Sequence, residues 1–374
     1  MNFVINSTEL LKNLQLVSGV VPSRHVLPIV ENFLFEVAND KLSITATDLD
    51  ITMQVLMQVE VRGEDIRVAV PSKLILDILR NLPDQPITFI VHEENFAIEL
   101  STTNGKYKLS GENGEDFPAV PKAENTQTIM MKANILVKVI QKTLFAASTD
   151  ELKPAMNGMH FSFTANGATF VTTDAHRLVR YRRLDVVVKE DATFIIPQKA
   201  LNQLKNSLSG LDEVVSIAYN ESNAYFSVNN LLMVCRLISD KFPDYENVIP
   251  ANNPHKLFIN KKELVGTLRR VNIFSNRTTH QIRFKITGNE LNISAEDIDY
   301  ASEANETLKC SYEGEDMELG YNAAFLQEVI NNIDTEDTLI ELSSPSRASL
   351  VLPNEQEEGE NLLMLVMPVM LSNF

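Results

Sequence analysis

The segment NFVINSTELLKNLQLVSGV, residues 2–20, begins with apolar residues at alternate positions and passes into apolar residues spaced three and four apart. The first spacing is that of a half-buried strand. The second is that of an amphipathic helix, here opened by Ser7 with Glu9 in its first turn. The same unit returns as TIMMKANILVKVIQKTLFAAS at 128–148 and as KLFINKKELVGTLRRVNIFS at 256–275.

Each copy runs on into two alternating strands and a polar break bearing an aspartate: FLFEVANDKLSITATDLD, MHFSFTANGATFVTTDAHR and IRFKITGNELNISAEDID. Asp48, Asp174 and Asp297 mark that break, 126 and 123 residues apart. A second strand-then-helix unit follows in each copy: RVAVPSKLILDILRNLPD, TFIIPQKALNQLKNSLSG and MELGYNAAFLQEVINNID. Pro71 and Pro197 are expected in a first helical turn, where a missing N–H costs nothing. The copies close with DFPAVP, KFPDYENVIP and VMPVML.

A period of about 124 residues is too long for a solenoid unit and suits a domain. The pattern predicts an α+β chain of three tandem domains, 1–125, 126–251 and 252–374, each with two helices packed on one face of antiparallel sheets. Helices are expected at 7–21, 71–82, 133–148, 197–208, 260–275 and 320–332.

With 374 residues, 44% of them hydrophobic, the chain can bury several cores. Cys235 and Cys310 are the two cysteines, far apart and without a histidine cluster, so neither a disulfide framework nor a metal site is suggested. The N-terminus lacks a basic leader, and the longest apolar run, LLMLVMPVML, is too short to span a bilayer. A soluble, cytoplasmic protein with no membrane partner and no cofactor is expected.

Net charge is −17, from 33 Lys and Arg against 50 Asp and Glu, which taken whole argues against DNA wrapping. The distribution is uneven. The expected helices hold eleven Lys and Arg against the acids Glu9, Asp77, Glu263 and Glu328, a balance of +7 that leaves −24 elsewhere. Two helices carry no acid, one presenting Lys138 and Lys142 and the other Lys199 and Lys205. Such helices are either solvated faces or a surface that attracts phosphates.

TTDAHRLVRYRR, residues 172–183, poses a choice between chemistry and recognition. On a strand, Asp174 and His176 share a face and Arg177 takes the other. A catalytic role for this pair would need a nucleophile, and the chain has no G-x-S-x-G elbow, H-E-x-x-H pair or Walker loop. Arg177, Arg180, Arg182 and Arg183 fit either a phosphate contact or a solvated edge strand whose charge blocks further pairing. In LLMLVMPVMLSNF, residues 362–367 read as core strand or groove, while Val369, Met370 and Leu371, past Pro368, suit a surface groove.

The threefold period, TTDAHRL, KFPDYENVIP and the terminal VMPVML together resemble the bacterial DNA polymerase III beta subunit family, the DNA sliding clamps, over essentially the whole chain. The resemblance implies a head-to-tail homodimer closed into a ring, helices lining the hole and sheets outside. It implies no enzymatic activity, duplex DNA held without sequence preference, and as partners a clamp loader and replicative and repair polymerases carrying short clamp-binding peptides. DNA-facing positions would be Arg24, Lys73, Arg80, Lys138, Lys142, Lys153, Lys199 and Lys205. A peptide groove would comprise Met156, Thr173, Ala175, His176, Arg177, Leu178, Pro243, Val248, Asn322, Phe325, Met367, Pro368, Val369 and Met370, with His176 and Arg177 shaping and rimming it. Lys106, Tyr107 and Leu109 would meet Ile273 and Phe274 across the subunit interface, with Glu303 and Glu306 nearby.

Three departures bear on peptide preference. Asn247 stands where many members have arginine, and Met370 stands where an arginine commonly follows the Met-Pro pair. The tail also runs on as LSNF, so Phe374 is placed to fold over the groove. Two other functions are weighed: a peptide-binding adapter that never encircles DNA, and a hydrolase using Asp174 and His176.

Overall fold

The computed structural model describes residues 2–371. Six α-helices lie among them: α1 Ser7–Ser18, α2 Ser72–Arg80, α3 Ala133–Thr143, α4 Gln198–Leu208, α5 Lys261–Asn272 and α6 Ala323–Asn331. All are shorter than the sequence suggests, and side chains settle several of the ends. Asn6 accepts from the N–H groups of Thr8 and Glu9 at 2.9 and 3.0 Å, so it, rather than Ser7, caps α1. Asn260 and Asn322 cap α5 and α6 through Glu263 and Phe325, at 3.2 and 3.1 Å. Gly320–Asn322 therefore finish a strand. Helix α3 stops at Thr143, whose hydroxyl donates back to Val139 O at 2.7 Å and whose carbonyl accepts from Thr172. Pro71 and Pro197 are not in a helical turn; each is the last residue of a strand, Ile66–Pro71 and Ala192–Pro197.

The chain forms two compact units, one of residues up to Val137 with Lys199–Leu237, the other of Lys138–Gln198 with the chain from Ile238 onward. In the first, a five-stranded antiparallel sheet runs in the order Glu60–Arg62, Asn2–Asn6, Pro86–Val91, Ala97–Ser101, Lys106–Ser110. Its nine-stranded sheet is composite: Ile51–Gln58 of the first repeat pairs with Leu231–Arg236 of the second. Stacked Phe3 and Phe89, with ring centroids 4.9 Å apart, sit in its core. Cys235 is buried, which pushes its thiol up to about 12; Cys310, in the other unit, is half-buried.

The second unit repeats the plan. Its nine-stranded sheet joins Arg177–Arg183 of the second repeat to Glu360–Val366 of the third, with Leu178 opposite Leu365 and Arg180 opposite Leu363. Leu362–Val366 are accordingly core. A four-stranded sheet runs Ser302–Lys309, Glu290–Asp297, Gln281–Thr287, Met317–Asn322. Helix α5 buries Leu264, Leu268 and Val271, and α6, which packs on it, buries Leu326, Val329 and Ile330.

Strand Arg177–Arg183 is thus flanked on both sides, not an edge strand, and its arginines are consumed by carboxylates of the same unit. Arg180 and Arg182 share Glu246 at 3.0 and 2.8 Å, and Arg183 pairs with Asp185 at 2.7 Å and with Glu360. Among the described residues no helix is long and apolar enough to cross a membrane.

Candidate functional site

The three aspartates of the repeat are turn-formers. Asp48 Oδ1 accepts from Asp50 and Ile51 N–H at 3.1 and 2.7 Å, Asp174 Oδ1 from His176 and Arg177 at 2.9 Å each, and Asp297 Oδ1 from Asp299 at 3.1 Å. Asp174 and His176 therefore lie in a turn between strands, not on one strand face. Ala175 sits there at φ +76°. Thr173, buried, completes the turn: its hydroxyl donates to Arg177 O at 2.8 Å and accepts from Ala175 N–H at 3.1 Å. The turn leaves His176 exposed and its ring stacked on Phe325, centroids 5.8 Å apart.

Arg177 does not rim this surface; it is 7% exposed and lies beneath it. Its Nε donates to Asp174 Oδ2 at 3.1 Å, one terminal nitrogen to Glu328, the other to Phe145 O at 2.9 Å. The guanidinium also lies 4.6 Å from the Phe325 ring centroid and 5.4 Å from that of Phe145. One buried fork thus fixes the turn, helix α6 and the residues after α3 together.

The tail forms the facing wall. Met367 N–H donates to His176 O at 2.8 Å, and Val369 N–H to Gly320 O at 2.9 Å. Pro368, which has no N–H to leave unpaired, lies between these two stitches. Gly320 is required here: a Cβ would stand 2.5 Å from Val369 O. Met367 and Met370 remain 39% and 88% exposed. Beyond them a cavity of about 480 Å³ is lined by Arg283, Glu318, Pro345, Ser346, Val369 and Leu371, among others. The expectation for Phe374 lies outside the described residues.

The rest of the predicted groove is less uniform. Leu178 is core, 2% exposed, packed with Phe242, Ile195 and Leu365 and touched by Ala155, Tyr245 and Ile249. Pro243 and the 53%-exposed Val248 lie on the segment that covers this cluster, and Met156 follows Ala155 in the turn Pro154–Met156. Asn322, half-buried, caps the helix that carries Phe325. Direct contacts therefore unite His176, Arg177 and Phe325, and tie Met367 and Val369 to them and to Gly320. Met156, Pro243 and Val248 join only as chain neighbours of Ala155, Phe242 and Ile249, which do pack in that cluster. Gly320, Glu328, Phe145, Phe242 and Tyr245 are not among the residues expected at the groove; the visible signals are Glu328, the lone acid of its helix, and the segment KFPDYENVIP that holds Phe242 and Tyr245.

Within that cluster His160 stacks on Phe242, centroids 4.8 Å apart, and burial pulls its pKa from 6.5 down to about 4. As pH falls through 6.5 the unfolded chain takes up this proton and the folded chain does not, so stability is lost between pH 6.5 and about 4. The loss should reach about 2 kcal/mol near pH 5. Urea titrations across this range should show it, and His160→Phe should flatten that part of the profile; an unchanged slope would exclude His160 as its source.

The acid-free helices do not present a uniformly basic surface, because the fold brings acids to them. Lys138 binds Glu357 and Glu360 at 2.6 and 2.9 Å. Burial opposes its charge, yet these two bonds raise its pKa. Lys142 is 12% exposed, held by Asp334 at 2.5 Å and by Asn332 O at 2.7 Å. Lys199 pairs with Asp48 but stays 61% exposed. Lys205 reaches Asn202 at 3.4 Å, Arg80 meets Asp77 at 3.1 Å, and Lys153 lies 3.9 Å from Asp150. Arg24 and Lys73 are exposed.

Of the predicted interface residues, Leu109 is buried and Glu306 is engaged by Arg270 at 2.6 Å and Thr267 at 3.0 Å, so both serve their own chain. Lys106 pairs with Glu99 at 2.7 Å yet is 68% exposed. Tyr107, Ile273 and Phe274 are 37%, 77% and 38% exposed, and Glu303 is exposed too. Lys106–Ser110 and Ser302–Lys309 are open edges of their sheets.

Residues 1–121 match the DNA polymerase III beta subunit N-terminal domain, 130–244 its central domain and 246–369 its C-terminal domain. A beta sliding clamp of Pseudomonas putida is 30% identical over 374 residues, covering 99% of this chain and all of the relative. That of Vibrio cholerae is 29% identical with the same coverage. The crystal structure of the DNA polymerase III subunit beta from Pseudomonas aeruginosa superposes with a TM-score of 0.94 at 28% identity, over 99% of this chain and 100% of that one.

Proposed function

The chain belongs to the DNA polymerase III beta subunit family, and we infer that it works as that family's sliding clamp, a non-catalytic ring that encircles duplex DNA and tethers polymerases to it. The observation that carries this is the correspondence of all three clamp domains, in order, over nearly the whole chain. We take the domains as 1–125, 126–251 and 252–374, so that each holds one pair of helices. A clamp loader and replicative and repair polymerases are its partners, and its place is the cytoplasm, with the DNA.

The ring is proposed as a head-to-tail homodimer. The two open edges support it: Lys106–Ser110 carries Lys106 and Lys108, and Ser302–Lys309 carries Glu303. Pairing the basic edge of one copy with the acidic edge of the next would satisfy both rows of unpaired backbone groups. DNA would be held by topology, with sequence-independent phosphate contacts that allow sliding. Arg24, Lys73, Lys199 and Lys205 are the cations we assign to those contacts. The surface formed by His176, Phe325 and Met367–Met370, continued by Met156, Pro243 and Val248, is the proposed peptide groove, an apolar hollow with a polar rim.

Retention on nicked circular DNA after loading with the cognate loader and ATP tests this function, and it should vanish when the circle is cut. No retention on the circle, with a loader active on another clamp, would favour the peptide-binding adapter. The lysines separate further. Neutralising Arg24, Lys73, Lys199 and Lys205 together should flatten the dependence of log affinity on log salt by about two to four. Lys138→Met with Lys142→Met should leave that slope alone and lower the melting temperature, because both ammonium groups are already paired. The reverse pattern would return the DNA contacts to Lys138 and Lys142.

A further inference from the structure

We propose that this groove selects partner peptides whose residues flanking the apolar anchors are neutral or basic, and discriminates against acidic flanks. The inference rests on the peptide-groove reading and adds the chemistry of the occupant. Most cations around the groove lie beside a carboxylate of their own chain, and at Arg177 and Arg180 the carboxylates Glu328 and Glu246 are the members turned to water. Arg177, its side chain 8% exposed, serves Asp174 and Glu328, of which Glu328 is 54% exposed. Arg180, 11% exposed, shares with Arg182 the 47%-exposed Glu246. Arg283 at the Met370 end is paired with Glu318. Lys153 has Asp150 beside it, and the exposed Lys241 and Lys285 have Asp240 as neighbour and Glu318 across the ladder.

Two neutral side chains at the groove reinforce this. Asn247 gives its amide to Asp244 at 2.6 Å, which leaves that carboxylate without neutralisation, and Met370 is an uncharged, 88%-exposed side chain. Past Met370 the 480 Å³ cavity meets a second of about 580 Å³, the two sharing Arg283 and Leu371 in their walls. The second is lined by Glu296, Asp297 and Asp299, with Arg283 the one cation in its lining. A chain leaving the groove in this direction meets carboxylates. An acidic flank would have to repel them or break a formed ion pair, whereas a lysine finds an exposed partner without disturbing one.

The test uses the full-length protein and three fluorescent peptides with one leucine- and phenylalanine-containing core, flanked by serine, by two lysines or by two aspartates. Fluorescence anisotropy at low salt should rank the lysine peptide at least equal to the serine peptide. The aspartate peptide should bind about tenfold more weakly than serine, a gap that closes at high salt. Asn247→Arg, and separately Glu246→Gln, which releases Arg180 and Arg182, should each recover several-fold of the aspartate peptide's affinity. Equal binding of all three, or a preference for aspartate, would overturn the selectivity while leaving the groove intact. If the serine peptide fails to bind, the groove itself is wrong and the selectivity falls with it.

Discussion

A chain carrying Tyr107→Asp and Ile273→Asp is expected to run as a monomer and to leave circular DNA as quickly as linear DNA. Ile273 and Phe274 follow helix α5 at 77% and 38% exposure, an apolar pair that the described residues leave open to solvent. Burying such side chains in an interface is worth about 1.5–3 kcal/mol each. Aspartate forfeits that gain and adds the cost of a charge desolvated opposite an apolar surface. With two such changes per interface, and two interfaces per ring, the dimer should weaken by at least about a thousandfold. Analytical ultracentrifugation at micromolar concentration reads the association state, and retention on nicked circles reads its consequence. Dimers that survive both substitutions would move the interface elsewhere. By contrast, Leu109→Ala should lower stability rather than association alone, since that side chain belongs to its own core.

The threefold order of the fold was legible because its signals are local. Alternation in NFVIN or FLFEV and the spacing of Leu10, Leu14 and Val17 report burial without reference to the rest of the chain. The composite sheets were not legible. Nothing in Ile51–Gln58 names Leu231–Arg236 as its neighbour, and nothing in RLVRYRR shows that Glu360–Val366 closes its open side. That missing neighbour is why the arginine run read as an edge strand. Helix ends were overrun for a related reason: the strand-then-helix pattern does not mark its own junction, and an asparagine side chain claiming the Phe325 N–H ends the strand and starts the helix there.

Charge was half legible in the same way. Acid-free helices are visible in the sequence, whereas Glu357, Glu360 and Asp334 reach Lys138 and Lys142 only through the fold. Of the residues foreseen for the groove, His176, Arg177, Phe325, Met367 and Val369 are held by direct contacts, and what holds them was invisible. Gly320 reads as one glycine among 13, and its role depends on a tail backbone that arrives from about fifty residues downstream. The resemblance assigns Arg177, with His176, to shaping and rimming the groove, and carries no information on how deeply the side chain sits. Its burial follows from three acceptors, Asp174, Glu328 and Phe145 O, that converge from separate segments.

Arg177→Ala should therefore be far more damaging than its neighbour His176→Ala, and in a different way. Removing the guanidinium strands Asp174 and Glu328 without their shared cation and empties the space between the Phe145 and Phe325 rings. Loss of the cation from a network in which Arg177 and Asp174 are largely buried and Glu328 is half exposed costs about 3 kcal/mol, which corresponds to a fall in melting temperature on the order of 10 °C. Peptide binding should fall with it, because the turn carrying His176 and the ring of Phe325 lose their common anchor. His176→Ala removes an exposed ring and should weaken peptide binding by about tenfold with the melting temperature nearly unchanged. Arg177→Lys separates charge from geometry: one ammonium cannot serve three acceptors set by a planar fork, so it should recover less than half of the lost stability. Calorimetry and peptide anisotropy on the three variants decide the matter. An Arg177→Ala protein that melts normally but binds no peptide would show that Arg177 acts at the surface after all, as a direct contact to the partner.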